Sequence, residues 1–346
     1  MSNFDTHLEV DLNKVIHNYN IYKEISNKDV FAVVKANAYG LGSLALAKHY
    51  DSLNVPYLCT ASLDEALYLR ENNIKSPILV MGHIDSNRLY LALANNITIS
   101  LTTLALAYEI KDLDIKNLKI HIKVNTRMNR LGLNDLTEVK EALSLLEGNE
   151  IEGIFTHYAK NDLKSLNEDF SKFQRLVEAL DRDFKYIHAS SSNSALIFKE
   201  DYTNACRIGI GNFGGIKSHG LQSTSSLYTK VISLREVSKG SSVGYDGRYE
   251  SKDKEYVASI KIGYGDGFLR ADTGLMVMIN DRLYPVVGNV CMDIAMVLVD
   301  EHVKLYDKVE IFGDKNSIEE LAKHRGSIVY EVLTLISSRV KRVYIK

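Results

Sequence analysis

Tyr57–Val80, YLCTASLDEALYLRENNIKSPILV, contains one complete structural repeat. Tyr57–Thr60 is a short apolar run. Ser62–Asn72 spaces its apolar residues at helical period behind a serine suited to cap a helix, and Ile78–Val80 is again β-branched. Strand, helix and strand in that order make a βαβ unit, because parallel strands need a crossover. The alternation extends both ways. Further strands are predicted at Val30–Lys35, Ile97–Ser100, Lys119–Val124, Ile151–Thr156, Tyr186–His188 and Ala205–Arg207. Helices are predicted at Asp85–Asn95, Thr102–Lys111, Asn134–Glu147 and Leu166–Asp181. Eight strand–helix units in about 200 residues match a (β/α)8 TIM-like barrel, with a doubly wound open sheet as the competing arrangement.

Beyond about Gly220 the alternation stops. Val231–Val237, Tyr256–Ile262, Met276–Ile279, Arg282–Val287, Ala295–Val299 and Lys308–Ile311 read as strands with short polar or glycine-containing connections. Only Ile318–His324 and Tyr330–Ser337 read as helical. This predicts a mostly antiparallel β domain over 219–346, joined by residues 1–8, after a barrel over 9–218. No low-complexity linker divides them, so the two are expected to pack tightly.

Composition narrows the function. Apolar residues are 45% and charged residues 25%, which excludes a disordered or collagen-like chain. Forty-two Lys+Arg against 44 Asp+Glu give a net charge of −2, without the basic field of a dedicated nucleic-acid binder. The 3 cysteines lie far apart with no C-x-x-C pair, which fits a reduced, cytoplasmic protein, and no metal site is read. Neither a secretory signal nor an apolar run of membrane-spanning length is evident.

The segment Phe31-Ala-Val-Val-Lys35-Ala-Asn-Ala-Tyr39-Gly-Leu-Gly42 carries the sharpest chemistry. A lysine closing the first barrel strand lies at the C-terminal mouth, where barrels keep their active sites. Burial there lowers an amine's pKa, and a neutral amine is what an imine-forming nucleophile requires. The plainer reading is a lysine reaching out to solvent at a strand end.

VVKANAYGLG resembles the pyridoxal-phosphate lysine motif of the alanine racemase family. Further matches follow in order: HIKVNTRMNRLG (121–132), THYAKND (156–162), NSA (193–195), RIGIGNFG (207–214), GYDG (244–247), IGYGDGFLR (262–270), GNVCMD (288–293) and VYEVLTLISSRVKRVY (329–344). The resemblance covers nearly the whole chain. It implies a cytoplasmic enzyme that interconverts L- and D-alanine for cell-wall synthesis by a two-base mechanism. Lys35 would carry pyridoxal 5'-phosphate and act on one face of the substrate carbon. Tyr245, from the partner subunit of a homodimer, would act on the other.

The resemblance also implies supporting roles. His157 links the tyrosine to Arg207, which faces the pyridine nitrogen. An arginine there has only donors, so the nitrogen stays an unprotonated acceptor, which favours racemisation over decarboxylation. Tyr39, Ser194, Gly209, Ile210 and Tyr330 match phosphate ligands, with a helix cap as a second role for Ser194. Arg130 and the Met292 backbone N–H match the substrate-carboxylate site. Lys123 matches a lysine carried as a carbamate in many relatives, an ordinary strand lysine being the alternative. Tyr264 and Tyr330 match an inner gate, with Asp162, Arg270 and Asp293 nearby.

The chain departs from the family pattern at three places. K-x-D-T-G-M-x-R reads Lys123-Val-Asn125-Thr-Arg127-Met-Asn-Arg130, so Arg127 is expected to carry strain if the glycine it replaces has positive φ. Lys160 and Asn289 replace other residues and are expected along the entrance. These changes keep serine or another small amino acid open as substrate, since an apolar pocket discriminates weakly against one hydroxyl. A fold-related decarboxylase would want a carboxylate in place of Arg207 and no Tyr245. A non-catalytic cofactor carrier would need no β domain.

Overall fold

The computed structural model describes residues 6–346; of the N-terminal segment assigned to the β domain, residues 1–5 lie outside the described residues. Strand β1 (His7–Asp11) is the first element among the described residues, and helix Leu12–Ser26 follows, capped by the Asp11 carboxylate. Eight parallel strands then close a barrel: β2 (Asp29–Val33), β3 (Leu58–Thr60), β4 (Ile78–Val80), β5 (Thr98–Leu101), β6 (Lys119–Lys123), β7 (Glu150–Phe155), β8 (Tyr186–His188) and β9 (Ala205–Ile208). Closure is made by β2 against β9, with Asp29–Ala32 in register with Ala205–Ile208. The expected barrel is therefore the observed one, and the open sheet is excluded.

Local capping explains the helix starts. Ser62, Thr103, Asp135 and Asp162 each accept a backbone N–H through the side chain, at the heads of Leu63–Glu71, Leu104–Asp112, Leu136–Leu145 and Leu163–Glu178. The last helix begins three residues before its predicted start because Asp162 caps it. Helices Leu12–Ser26 and Ser43–Asp51 were not predicted. An aromatic cluster runs across the barrel strands: Phe31 lies 5.0 Å from Tyr57 and 5.1 Å from His188, and Phe155 stacks on His188 at 4.7 Å.

The remaining strands are β10 (Ser225–Val237), β11 (Ser242–Val243), β12 (Tyr249–Glu250), β13 (Glu255–Ile260), β14 (Met276–Ile279), β15 (Arg282–Val287), β16 (Ala295–Val299), β17 (Lys308–Phe312) and β18 (Lys341–Ile345). The main sheet runs β13-β16-β15-β14-β17-β10-β1-β18. The long strand β10 also pairs with β13 and so joins the ends of a six-strand ring. Pairing is antiparallel except between β1 and β18, the two chain-terminal strands, neither of which was predicted. Residues from β18 return to the mouth of the barrel, which places that strand beside the site described next.

Candidate active site

The first barrel strand ends at Val33, not at Lys35 as expected. Lys35 instead opens a left-handed helical turn: Ala36, Asn37 and Ala38 have φ of 52–54° and ψ of 44–53°, and Tyr39 has φ 55°. Such backbone costs ~1–2 kcal/mol per residue for side chains other than glycine and asparagine. The surroundings must therefore impose it. Gly40, at φ 84°, ends the turn so close to Leu333 that a Cβ would lie 2.3 Å from that carbonyl oxygen. From β18, Arg342 Nε donates to Gly40 O at 2.8 Å and Tyr344 Oη to Leu41 O at 3.1 Å. The β domain thus helps to hold the barrel's lysine loop.

The turn aims Lys35 into a cavity of about 340 Å³ at the C-terminal ends of the strands. Its walls include Lys35, Tyr39, Lys123, Arg130, His157, Arg207, Gly209, Ile210 and Tyr330. Lys35, Lys123, Arg130 and Arg207 are cations, and no carboxylate stands among the lining residues. Desolvation is the largest influence on Lys35; with the nearby Arg130 it pushes the amine below its ordinary value, against a smaller opposing pull from Glu65. Lys123 is lowered to about 8, by burial first and then by the neighbouring cations.

Arg207 is buried without an acidic partner. Its Nη2 donates to Thr156 O at 2.8 Å and Ala189 O at 2.9 Å and approaches His157 Nδ1 at 3.3 Å. Its Nη1 meets His188 Nδ1 at 2.5 Å, and His188 Nε2 meets His121 Nδ1 at 2.9 Å. Arginine only donates, so both histidine Nδ1 atoms on this chain accept, and each ring carries its proton on Nε2. Burial, reinforced by Arg207, depresses all three histidines, His121 and His157 to about 3. The guanidinium is thus held by neutral acceptors and keeps its charge uncompensated. Gly153, on the strand between His121 and His188, makes the contact possible: a Cβ there would lie 2.6 Å from His121 Nδ1.

At the opposite end, Gly209 packs under Tyr39, where a Cβ would lie 2.3 Å from the phenol oxygen. The structure does not bring Ser194 to this wall. Its hydroxyl accepts from Ser191 N at 2.8 Å in the cap of helix Ser192–Ile197. Ser191 and Ser192 line the cavity instead, and Ser192 Oγ accepts from Gly209 N and Gly211 N. Ser192, four residues after His188, is on the wall that Ser194 does not reach.

Arg127 does not take the expected strained backbone; the positive φ falls two residues later, at Asn129, whose N–H bonds Asn125 Oδ1 at 3.0 Å. Arg127 pairs instead with Glu168 and, at 3.1 Å, with the buried Asp169, tying the Arg130 loop to helix Leu163–Glu178.

Tyr245, Tyr264, Met292, Asp162, Arg270 and Asp293 do not line the cavity of this chain. Tyr245, Tyr264 and Met292 are 69%, 42% and 53% exposed on the β domain. The Tyr264 and Met292 segments are joined there through short backbone links: Tyr264 N bonds Cys291 O and Gly265 N bonds Met292 O. Asn289 is buried rather than placed on an entrance, and its amide holds Tyr245 O at 3.1 Å. Lys160 is exposed and away from the cavity wall. Among the described residues no cluster suits a metal ion, and no helix is long and apolar enough to cross a membrane.

Residues 10–217 match the family model described as alanine racemase, N-terminal domain, and 224–344 the one described as alanine racemase, C-terminal domain. The alanine racemase of Staphylococcus epidermidis is 32% identical, over 98% of this chain and 94% of the relative. That of Streptococcus equi subsp. equi is 34% identical, over 97% of each. The crystal structure of alanine racemase from Bacillus anthracis with bound L-Ala-P superposes with a TM-score of 0.93 at 33% identity, over 100% of this chain and 96% of that one. An alanine racemase of Clostridium difficile 630 in complex with cycloserine gives 0.91 at 30% identity, over 100% and 96%.

Proposed function

The chain belongs to the alanine racemase family, and from that premise we propose that it interconverts L- and D-alanine with pyridoxal 5'-phosphate at Lys35, in a site shared between two copies of the chain. The observation that carries the reading is the cavity at Lys35. Four cations with no carboxylate among the lining residues call for a ligand of several negative charges. A phosphate ester joined to a phenol, together with a substrate carboxylate, meets that demand. Lys35 would hold the cofactor covalently, Arg207 would face its ring nitrogen, and Tyr39, Ser192, Gly209, Ile210 and Tyr330 would hold the phosphate end.

When bound, pyridoxal phosphate supplies the electron sink for charge developing at the substrate α-carbon. The protein's part is to move a proton at that carbon. Burial and the neighbouring Arg130 lower the pKa of the Lys35 amine, which favours its use as a base. Arg207 can only donate, so it leaves the ring nitrogen an acceptor and limits delocalisation; a decarboxylase site would favour a carboxylate there. Arg130 would orient the substrate carboxylate, and neutral His157, accepting from Arg207 through Nδ1, would offer its Nε2–H to the phenol oxygen on the far face.

Inverting a stereocentre needs a second proton group on the opposite face. Of the two proposed proton groups, Lys35 borders the cavity of its own chain, whereas Tyr245 is exposed on the β domain. The exposed Tyr245, Tyr264 and Met292 support a two-fold dimer in which the partner subunit's Tyr245 completes the site. The test is a chiral amino-acid panel on cofactor-loaded enzyme, with Lys35→Ala and Tyr245→Phe alongside. Alanine should racemise fastest. Lys35→Ala should lose both cofactor absorbance and activity, while Tyr245→Phe should keep the cofactor and lose mainly one direction of proton transfer. Near wild-type rates in both directions for Tyr245→Phe would overturn its role.

A further inference from the structure

Glu65 lies in the first turn of helix Leu63–Glu71, three residues after its cap Ser62, whose hydroxyl accepts from Glu65 N. A glutamate at this position ordinarily returns to the N–H of the capping residue. Here the carboxylate takes two other backbone donors. Oε2 accepts from Ala61 N at 2.8 Å, and Oε1 crosses to the neighbouring loop to accept from Ala36 N at 2.7 Å. Ala36 follows Lys35 and is the first residue of the left-handed turn. One side chain therefore ties the loops after two adjacent barrel strands together at the lysine. Asn37 Oδ1, accepting from Ser43 N at 2.8 Å, and Arg342 and Tyr344 from β18 hold the later part of the turn, while Glu65 alone meets its first amide through a side chain.

We propose that Glu65 is a positioning residue for Lys35: its carboxylate imposes the turn that aims the amine into the cavity. The inference rests on Lys35 being the cofactor lysine. Only a carboxylate satisfies both N–H groups, because a glutamine offers one oxygen and turns its NH2 group toward the other donor. The same carboxylate is a negative charge near the Lys35 amine, whose other charged neighbours, Arg130 and Arg207, are cations. Removing it moves the amine's titration to lower pH.

The experiment compares wild type, Glu65→Gln and Glu65→Asp by three readings: kcat and KM for alanine, the pH dependence of absorbance-monitored pyridoxal-phosphate attachment to the apoenzyme, and amide hydrogen exchange at residues 36–42 and 61. For Glu65→Gln, kcat is expected to fall roughly tenfold or more with KM little changed. Its attachment midpoint should shift to lower pH, and exchange at Ala36 should rise. Glu65→Asp keeps the charge but is too short to bridge both amides, so exchange should rise and kcat fall without the pH shift. If Glu65→Gln does not fold, Glu65→Asp decides alone. Wild-type kcat and exchange in the variants that fold overturn the proposal. Loss of the premise has a different signature: pyridoxal phosphate attaching to Lys35→Ala as it does to wild type.

Discussion

Acidification should destabilise this protein through the buried histidines behind Arg207, and the size of the effect follows from their burial. His121 titrates near 3 in the folded chain, and His188 lies well below its ordinary value. In the unfolded chain a histidine titrates near ~6.5. The folded pKa is the lower one, so the stabilisation is complete above the unfolded value and is lost as pH falls from there toward 3. Between pH 7 and 5 one such group costs ~2 kcal/mol, large against a total stability of ~5–15 kcal/mol. His188 acts in the same direction. Protonating it would also remove the acceptor of Arg207 Nη1 and set a cation against a cation. The assay is urea unfolding at pH 7, 6 and 5, at fixed ionic strength and protein concentration, for wild type and His121→Gln. The glutamine oxygen can replace Nδ1 as acceptor but does not titrate. Wild type should lose ~2 kcal/mol more than the variant across this range. Parallel pH dependences for the two proteins would refute the assignment of His121 as a neutral buried acceptor.

Three further outcomes are expected. Gly209→Ala should push Tyr39 aside at a cost of ~1–3 kcal/mol of stability, partly recovered on adding Tyr39→Phe, and weaken pyridoxal-phosphate binding about tenfold or more; unchanged affinity would deny that this contact shapes the phosphate end. Arg127→Ala strips the buried Asp169 of its ion pair and should cost ~1–2 kcal/mol in urea unfolding, the guanidinium being about a third exposed. It should also raise KM for alanine more than it lowers kcat, because the Arg130 loop loses its anchor; a pure kcat effect would contradict that. Inorganic phosphate should bind the apoenzyme more weakly as pH rises from 7 to 9, because Lys123 loses its charge near 8; isothermal titration of Lys123→Met should show a smaller change, and an equal one would remove Lys123 from the anion site.

Much of the architecture was legible because it rests on local periodicity. Each barrel strand is a short apolar run and most helices are preceded by a capping residue, so Tyr57–Val80 already implies its neighbours. The terminal strands β1 and β18 were not legible, since they exist only by pairing with each other and with β10. The family resemblance selected Lys35, Arg207, His157 and Arg130, and the fold gathers them around one cavity. At Ser194 the fold departs from it: three consecutive serines precede the NSA triplet, and only backbone geometry puts Ser192 rather than Ser194 on the cavity wall.

The sequence by itself determined the barrel, the β domain and a lysine near the end of the first barrel strand, all of which follow from residue order and apolar spacing. Tertiary structure alone decided how that lysine is aimed. Of Ala-Asn-Ala-Tyr only the asparagine tolerates left-handed backbone readily, and the turn persists because Glu65, Asn37, Arg342 and Tyr344 hold it from three directions. It likewise decided that Arg207 rests on neutral histidines, since His121 and His188 lie on strands separated by β7 and meet only across the space that Gly153 leaves.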